Sequence, residues 1–196
     1  MSSMASAVYQ FTAKRIEQLA ARPDPAARAA LAELRRGVGR KPGELPRLWG
    51  EFLDGMPEEM YSISGTPSRA EWAVYTALTL YALHQQSKDL HTENMNRPDV
   101  SFGRACAGLV KNEDDRERIW KRLYLVCTSG DMQELGYRMR GLIQLLRNEG
   151  IGLDYPSLAA DLYRFQSPEG ADAVRLKWGQ DFYKKQPTNE QKEDSQ

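Results

Sequence analysis

The chain has 196 residues, with 27 Lys+Arg against 27 Asp+Glu, a formal net charge of zero, and 41% hydrophobic residues. That length suits one compact domain or two very small ones. The charge balance excludes a uniformly basic nucleic-acid binder and an acidic tail protein, and the apolar content excludes wholesale disorder.

The charge is unevenly spread. Residues 14–49 and 104–147 sum to +5 and +3, whereas residues 50–103 and 148–196 sum to −5 and −3. Partners respond to such local fields rather than to the total.

In chain order the punctuation is helical. Val8, Phe11, Ile16 and Leu19 form one stripe, stopped by Pro23. Asp24-Pro25 reads as an N-cap followed by proline at the first helical position. The Ala-rich helix it opens turns Leu31, Leu34 and Val38 inward and ends at Gly37 and Gly39. Leu45, Leu48, Trp49, Phe52 and Leu53 predict a short helix closed by Gly55 and Pro57. Ser68 and Glu71 have the spacing of a capping box. The helix they start, over about 69–87, is apolar nearly all round, the pattern of a central element with neighbours on several sides. Its uncharged run, residues 72–87, falls short of the ~20 apolar residues that cross a bilayer. Residues 1–7 lack the basic start and apolar core of a signal peptide.

Residues 88–100 have no periodicity and read as a loop between two helical halves. Beyond it, Ser101 caps a helix with Phe102, Ala105, Cys106, Leu109 and Val110 inward. Asp114 or Asp115 caps the next, with Ile119, Leu123, Val126 and Cys127 inward. Asp131 with Glu134 caps a long helix carrying Leu135, Met139, Leu142, Ile143 and Leu146, ended by Gly150. Asp154 precedes a short helix with Leu158 and Leu162, and Ser167-Pro168 starts the last, with Ala171, Val174, Trp178 and Phe182. Residues 186–196 are uniformly polar and read as a disordered tail. The expectation is an all-α bundle of about nine helices in two packed halves, with no sheet, as a single domain over residues 1–185.

Catalytic signals are weak, and neither enzymatic activity, a metal nor a cofactor is expected. No H-E-x-x-H, C-x-x-C or P-loop is present. His84 and His91, seven apart, would stand two turns apart on a helix, too far to share a metal directly. Glu58-Glu59 and Asp114-Asp115 are adjacent carboxylates, which do not face each other on a helix and which favour first turns. Two cysteines in apolar helical patterns, Cys106 and Cys127, suit free buried thiols in a cytoplasmic protein.

The basic residues are more informative. Arg35, Arg36, Arg40 and Lys41 cluster where a helix ends, a location the helix dipole alone favours. Arg104 and Lys111 stack on one polar face. Arg118, Lys121 and Arg122 share a side of the next helix, and Arg140 and Arg147, with Arg138 at the edge, share the polar face of the long one. Arginine dominates, which favours bidentate phosphate contacts over mere solubility. The turn at Ser129-Gly130 is compatible with a helix-turn-helix. The first turn that follows holds Asp131 and Glu134, however, acidic where a major-groove reader needs neutral or basic contacts. Backbone contact without base reading fits better.

Four segments then appear in order: Leu34-Arg35-Arg36-Gly37, Ser101-Phe102-Gly103-Arg104-Ala105, Tyr137-Arg138-Met139-Arg140-Gly141-Leu142-Ile143 and Leu153-Asp154-Tyr155-Pro156-Ser157-Leu158-Ala159. With Trp178 and Phe182 in the closing helix, the chain resembles, roughly from residue 10 to 185, the CasB-type small subunits of the type I-E CRISPR Cascade complex. The resemblance implies an all-helical, non-enzymatic subunit present as a pair. Its implied partners are crRNA, target DNA, the backbone and large subunits of the complex, and a second copy of itself. It implies that the subunit holds nucleic-acid backbone and stabilises the R-loop, while guide–target pairing reads sequence. By motif match Arg36, Arg104 and Arg140 carry over as nucleic-acid-binding positions, followed by Arg122 and Arg69. Helix geometry adds Arg35, Lys121, Arg138 and Arg147. Two readings compete with this one: a helical protein–protein adaptor that binds no nucleic acid, and a metal-dependent helical hydrolase using His84 or His91.

Overall fold

The computed structural model describes residues 3–184, and the predicted tail at 186–196 lies outside them. The described residues form nine α-helices. They are α1 (Met4–Ala20), α2 (Asp24–Arg35), α3 (Trp49–Phe52), α4 (Arg69–His84), α5 (Phe102–Ala107), α6 (Glu113–Cys127), α7 (Met132–Glu149), α8 (Tyr155–Phe165) and α9 (Pro168–Tyr183). The all-α architecture expected from the sequence is the one observed. The one β-type pairing among the described residues is an isolated bridge between Asn96 and Leu153. No helix among these residues is long and apolar enough to cross a membrane.

The all-round apolar pattern of α4 has the predicted consequence. The helix packs against α1, α2, α7 and α8, and it buries Tyr75, Leu78, Leu80 and Tyr81 on its different faces. Its capping box is complete: Glu71 N donates to Ser68 Oγ at 3.0 Å, and Ser68 N donates to Glu71 Oε2 at 2.6 Å. α8 crosses both α1 and α4, α5 lies on α9, and α6 runs back along α7. One hydrophobic core runs continuously from Val8 to Phe182.

Several ends differ from expectation. α4 stops at His84 rather than near 87: the chain tightens into a turn, with Gln86 N donating to Leu83 O at 3.3 Å, and Ser87 takes a left-handed φ of 64°. Asp24 lies inside the first turn of α2 rather than capping it, and Pro23 occupies the cap position without a side-chain bond. α6 is capped by Asn112, whose Oδ1 accepts from Asp115 N at 2.8 Å. Asp114 and Asp115 instead fill the first turn, where the helix dipole favours acids. Ser167 makes no side-chain cap bond at α9. The stretch around Trp49 is a 3-10 turn (Pro46–Leu48) followed by a single helical turn, and Trp49 itself faces solvent, 51% exposed, rather than the core.

The segment at 88–100 is aperiodic, as read, yet it is bound throughout. Gln85 Nε2 donates to the carbonyls of Lys88, Asp89 and Glu93, each at 3.2 Å, while its Oε1 accepts from Met95 N at 2.9 Å. Met95 is buried beneath. The strap then pairs with the entry to α8. Arg97 N donates to Leu153 O at 3.0 Å, Asp99 N to Asp154 Oδ2 at 3.1 Å, and Tyr155 N to Asn96 Oδ1 at 3.0 Å.

Candidate nucleic-acid interface

A cation is available to an outside phosphate only if the fold does not already use it. Arg15 shows the opposite case. It is buried and bonds the carbonyls of Gly50 (2.8 Å) and Glu51 (3.0 Å), so it ties α1 to α3.

The nine predicted positions divide on this criterion. Three are engaged with carboxylates one turn away: Arg36 with Glu33 at 3.3 Å, Lys121 with Glu117 at 2.6 Å, and Arg138 with Glu134 at 2.5 Å. Arg138 also donates to the carbonyl of Leu125, clamping α7 to the end of α6. Arg69 is used internally: it donates to Tyr163 O at 2.9 Å and stacks over the Tyr163 ring at 4.5 Å, joining the start of α4 to the end of α8. The remaining five, Arg35, Arg104, Arg122, Arg140 and Arg147, have no carboxylate within ion-pair distance among the described residues.

Arg104, Arg122 and Arg140 are all exposed and stand on α5, α6 and α7, which pack on one another. Two glycines set this arrangement. A Cβ at Gly141 would lie 3.3 Å from Arg122 Nη1, so the bare helix backbone lets the Arg122 guanidinium lie on α7 beside Arg140. At Gly103 a Cβ would come within 2.9 Å of the Trp178 Cα and carbonyl carbon, and closer still to its oxygen. This close approach seats α5 on α9, with Phe102 edge-on to Trp178 at 5.0 Å, and fixes the outward direction of neighbouring Arg104.

Arg35 and Arg147 stand apart from that trio, near Gln86 at the end of α4. Both are half-buried, and Arg147 Nη1 donates to Gln86 Oε1 at 2.9 Å. Burial, and then the neighbouring charge of Arg147, hold the Arg35 guanidinium below its ordinary basicity.

Two features escaped sequence reasoning. Arg97 is exposed, has no carboxylate partner among the described residues, and lays its aliphatic stem over Gly152. It sits in the aperiodic strap, where no pattern marks it. Trp120 and Tyr124 stack on the outer side of α6 with ring centroids 5.5 Å apart. Their i, i+4 spacing outside the Ile119–Leu123–Val126 stripe was the available signal.

The groups that could support covalent or metal chemistry are poorly set for it. Burial pushes Cys127 up to about 11 and Cys106 higher still, away from thiolate formation. His84 is buried and pushed down to about 4 by desolvation; its Nδ1 lies 2.9 Å from the Tyr155 hydroxyl. His91 is exposed, 3.7 Å from Asp24. Among the described residues no three His, Cys, Asp or Glu side chains group as metal ligands.

Comparison with known proteins is consistent with this architecture. The model of the CRISPR-associated protein Cse2 family matches residues 30–183. The fold is similar to CasB from Thermobifida fusca, with 34% identity and a TM-score of 0.76, over 91% of this chain and 98% of that one. It is also similar to M. ruber CasB (24% identity, TM-score 0.65, 88% and 92% covered). A Cse2-family CRISPR-associated protein from Thermus thermophilus is similar as well (22%, 0.64, 90% and 97%). No curated protein matches the chain.

Proposed function

Because the chain belongs to the CRISPR-associated Cse2 family, the family of the Cascade small subunit, we propose that it acts as a non-catalytic clamp on nucleic-acid backbone within a type I-E complex. In this reading it works in the cytoplasm, as one of two copies beside the backbone and large subunits, holding crRNA, target strand and displaced strand. Arg104, Arg122 and Arg140 carry the contact. The observation behind this choice is their exposure without a carboxylate partner, on three helices packed together. Arg36 and Lys121 join at the margin, since opening an exposed ion pair costs only about 0–1 kcal/mol. R-loop formation exchanges duplexes of similar stability, so a few phosphate contacts tip it.

Filter binding of labelled single strands across a salt series tests the reading. Changing Arg104, Arg122 and Arg140 together to Ala should reduce the log–log salt slope by about 2, at ~0.7 per contact on a single strand. It should also shorten R-loop lifetime in the assembled complex, with helical content unchanged by circular dichroism. Binding and R-loop retention equal to wild type at all salts would refute it. The exposed Trp120–Tyr124 stack favours a second reading, a protein–protein adaptor. That adaptor would show no salt-dependent retention of single strands even before mutation.

A further inference from the structure

Residues 49–68 carry four acids, Glu51, Asp54, Glu58 and Glu59, and no Lys or Arg. The same stretch exposes Trp49, Tyr61 and Ile63. Ile63 is bare to solvent, more so than any other large apolar side chain among the described residues. A single exposed apolar side chain on a loose loop needs no explanation. Ile63 differs, because its loop is braced and two exposed aromatics belong to the same stretch.

The bracing is at both the base and the tip. Ser68 Oγ donates to Met60 O at 2.6 Å and closes the loop over buried Met60. Tyr61 Oη donates to Leu53 O at 2.9 Å, which ties the loop to the end of α3. Ser64 N donates to Ser62 Oγ at 3.2 Å, and the Ser64 and Thr66 hydroxyls share a hydrogen bond at 2.7 Å. Gly65, with a left-handed φ of 79°, turns the chain back. A side chain presented on such a frame gives up little freedom when it docks.

The charges beside it select the partner. Glu51 is taken up by Arg15 and by Arg22 at 2.9 Å. Asp54 touches Arg15 at 3.4 Å with most of its side chain still exposed. Glu58 and Glu59 lie in the 3-10 turn just before Tyr61, are exposed, and have no Lys or Arg within ion-pair distance among the described residues. Free carboxylates repel phosphate, so this surface is no part of the nucleic-acid clamp. An apolar anchor with aromatics and a charged rim is instead the anatomy of a protein interface, in which rim charges favour a partner of opposite sign.

We propose that the 60–68 loop is a docking knob for a different protein of the complex, one with an apolar socket for Ile63 edged by Lys or Arg that face Glu58 and Glu59. The proposal rests on the reading that the chain works within a type I-E complex, but not on the contacts of Arg104, Arg122 and Arg140.

Titration of the labelled full chain into complex assembled without it, read on native gels, tests the knob. Ile63→Asp should weaken entry by about tenfold or more, the loss of one buried aliphatic anchor, whereas Ile63→Leu should enter like wild type. The Glu58→Lys/Glu59→Lys chain should also enter more weakly, and its entry should depend less on salt. Ile63→Asp should melt with the wild type, since the side chain it replaces is already in water. It should also retain single strands with the wild-type salt slope, so that failure of the knob and failure of the clamp are distinguishable. Wild-type entry by both Ile63→Asp and the double Lys variant would overturn the proposal. So would sedimentation of the isolated chain showing self-association that Ile63→Asp abolishes while entry is unchanged, because the occupant would then be a second copy.

Discussion

Gly103→Ala is the sharpest test of how the fold places its arginines. The new Cβ would stand 2.9 Å from two backbone carbons of Trp178 and nearer to its carbonyl oxygen, against the 3.4 Å or more of an ordinary contact. The obstacle is backbone, so no rotamer change relieves it, and α5 must lift from α9 by at least about half an ångström. Overpacking of this kind costs about 3 kcal/mol at the upper end of its usual range. The better helix propensity of alanine returns about 1 kcal/mol, leaving a net loss of about 2 kcal/mol. For a chain of this size that lowers the melting temperature by roughly 4–8 °C. Gly179 on α9 is the control, because nothing lies within 4 Å of a Cβ placed there; Gly179→Ala should be neutral or stabilising by up to about 1 kcal/mol. Circular dichroism melts of both variants decide the matter. If Gly103→Ala melts with the wild type, the close approach of α5 to α9 is not what seats Arg104.

Two further predictions follow from buried polar groups. Asp161, 2% exposed, accepts from Trp178 Nε1 at 3.0 Å and from Lys177 Nζ at 2.8 Å; Asp161→Ala strands the indole N–H and should cost about 1–3 kcal/mol by urea titration. His84 titrates at 6.5 when unfolded but at about 4 when buried, chiefly through desolvation. Between these values the unfolded chain binds the extra proton, so the stability that neutral His84 contributes is complete above pH 6.5 and is lost as pH falls toward 4. The loss totals about 3 kcal/mol at 1.36 kcal/mol per pH unit, and His84→Phe should flatten this part of the stability–pH curve. An unchanged curve would mean that His84 does not remain neutral.

What the sequence made legible was local. The Ser68/Glu71 box, the Asp131 cap (Glu134 N to Asp131 Oδ1, 2.8 Å) and the apolar stripes depend on residues three or four apart, and they stand as read. The Asn112 cap was masked by the acids beside it, which compete for the same role on composition alone. The same distance rule governs the candidate interface. The engagement of Lys121 with Glu117 and of Arg138 with Glu134 lies within one helical turn and can be seen in the sequence. Arg69 is 94 residues from the carbonyl it bonds, and Arg147 is 61 residues from the Gln86 it bonds; no spacing announces either. Gln85 carries the same lesson, since its one amide gathers the backbone of Lys88, Asp89, Glu93 and Met95 along a chain path that periodicity does not describe.

The strap at 88–100 also bears on the order in which the chain gains structure. Its bonds to the entry of α8 span 55 and 59 residues of sequence. Closing a loop of that size costs about 3–4 kcal/mol of chain entropy, more than a few backbone hydrogen bonds worth about 1 kcal/mol each return at first contact. The closure is therefore carried by the broad apolar faces of α4 and α8, already docked, and the strap settles onto a frame whose ends have been brought together. By this logic its amides belong to the last structure formed and the first released. In that order the strap is fastened only after the helices that carry Arg104, Arg122 and Arg140 are in place.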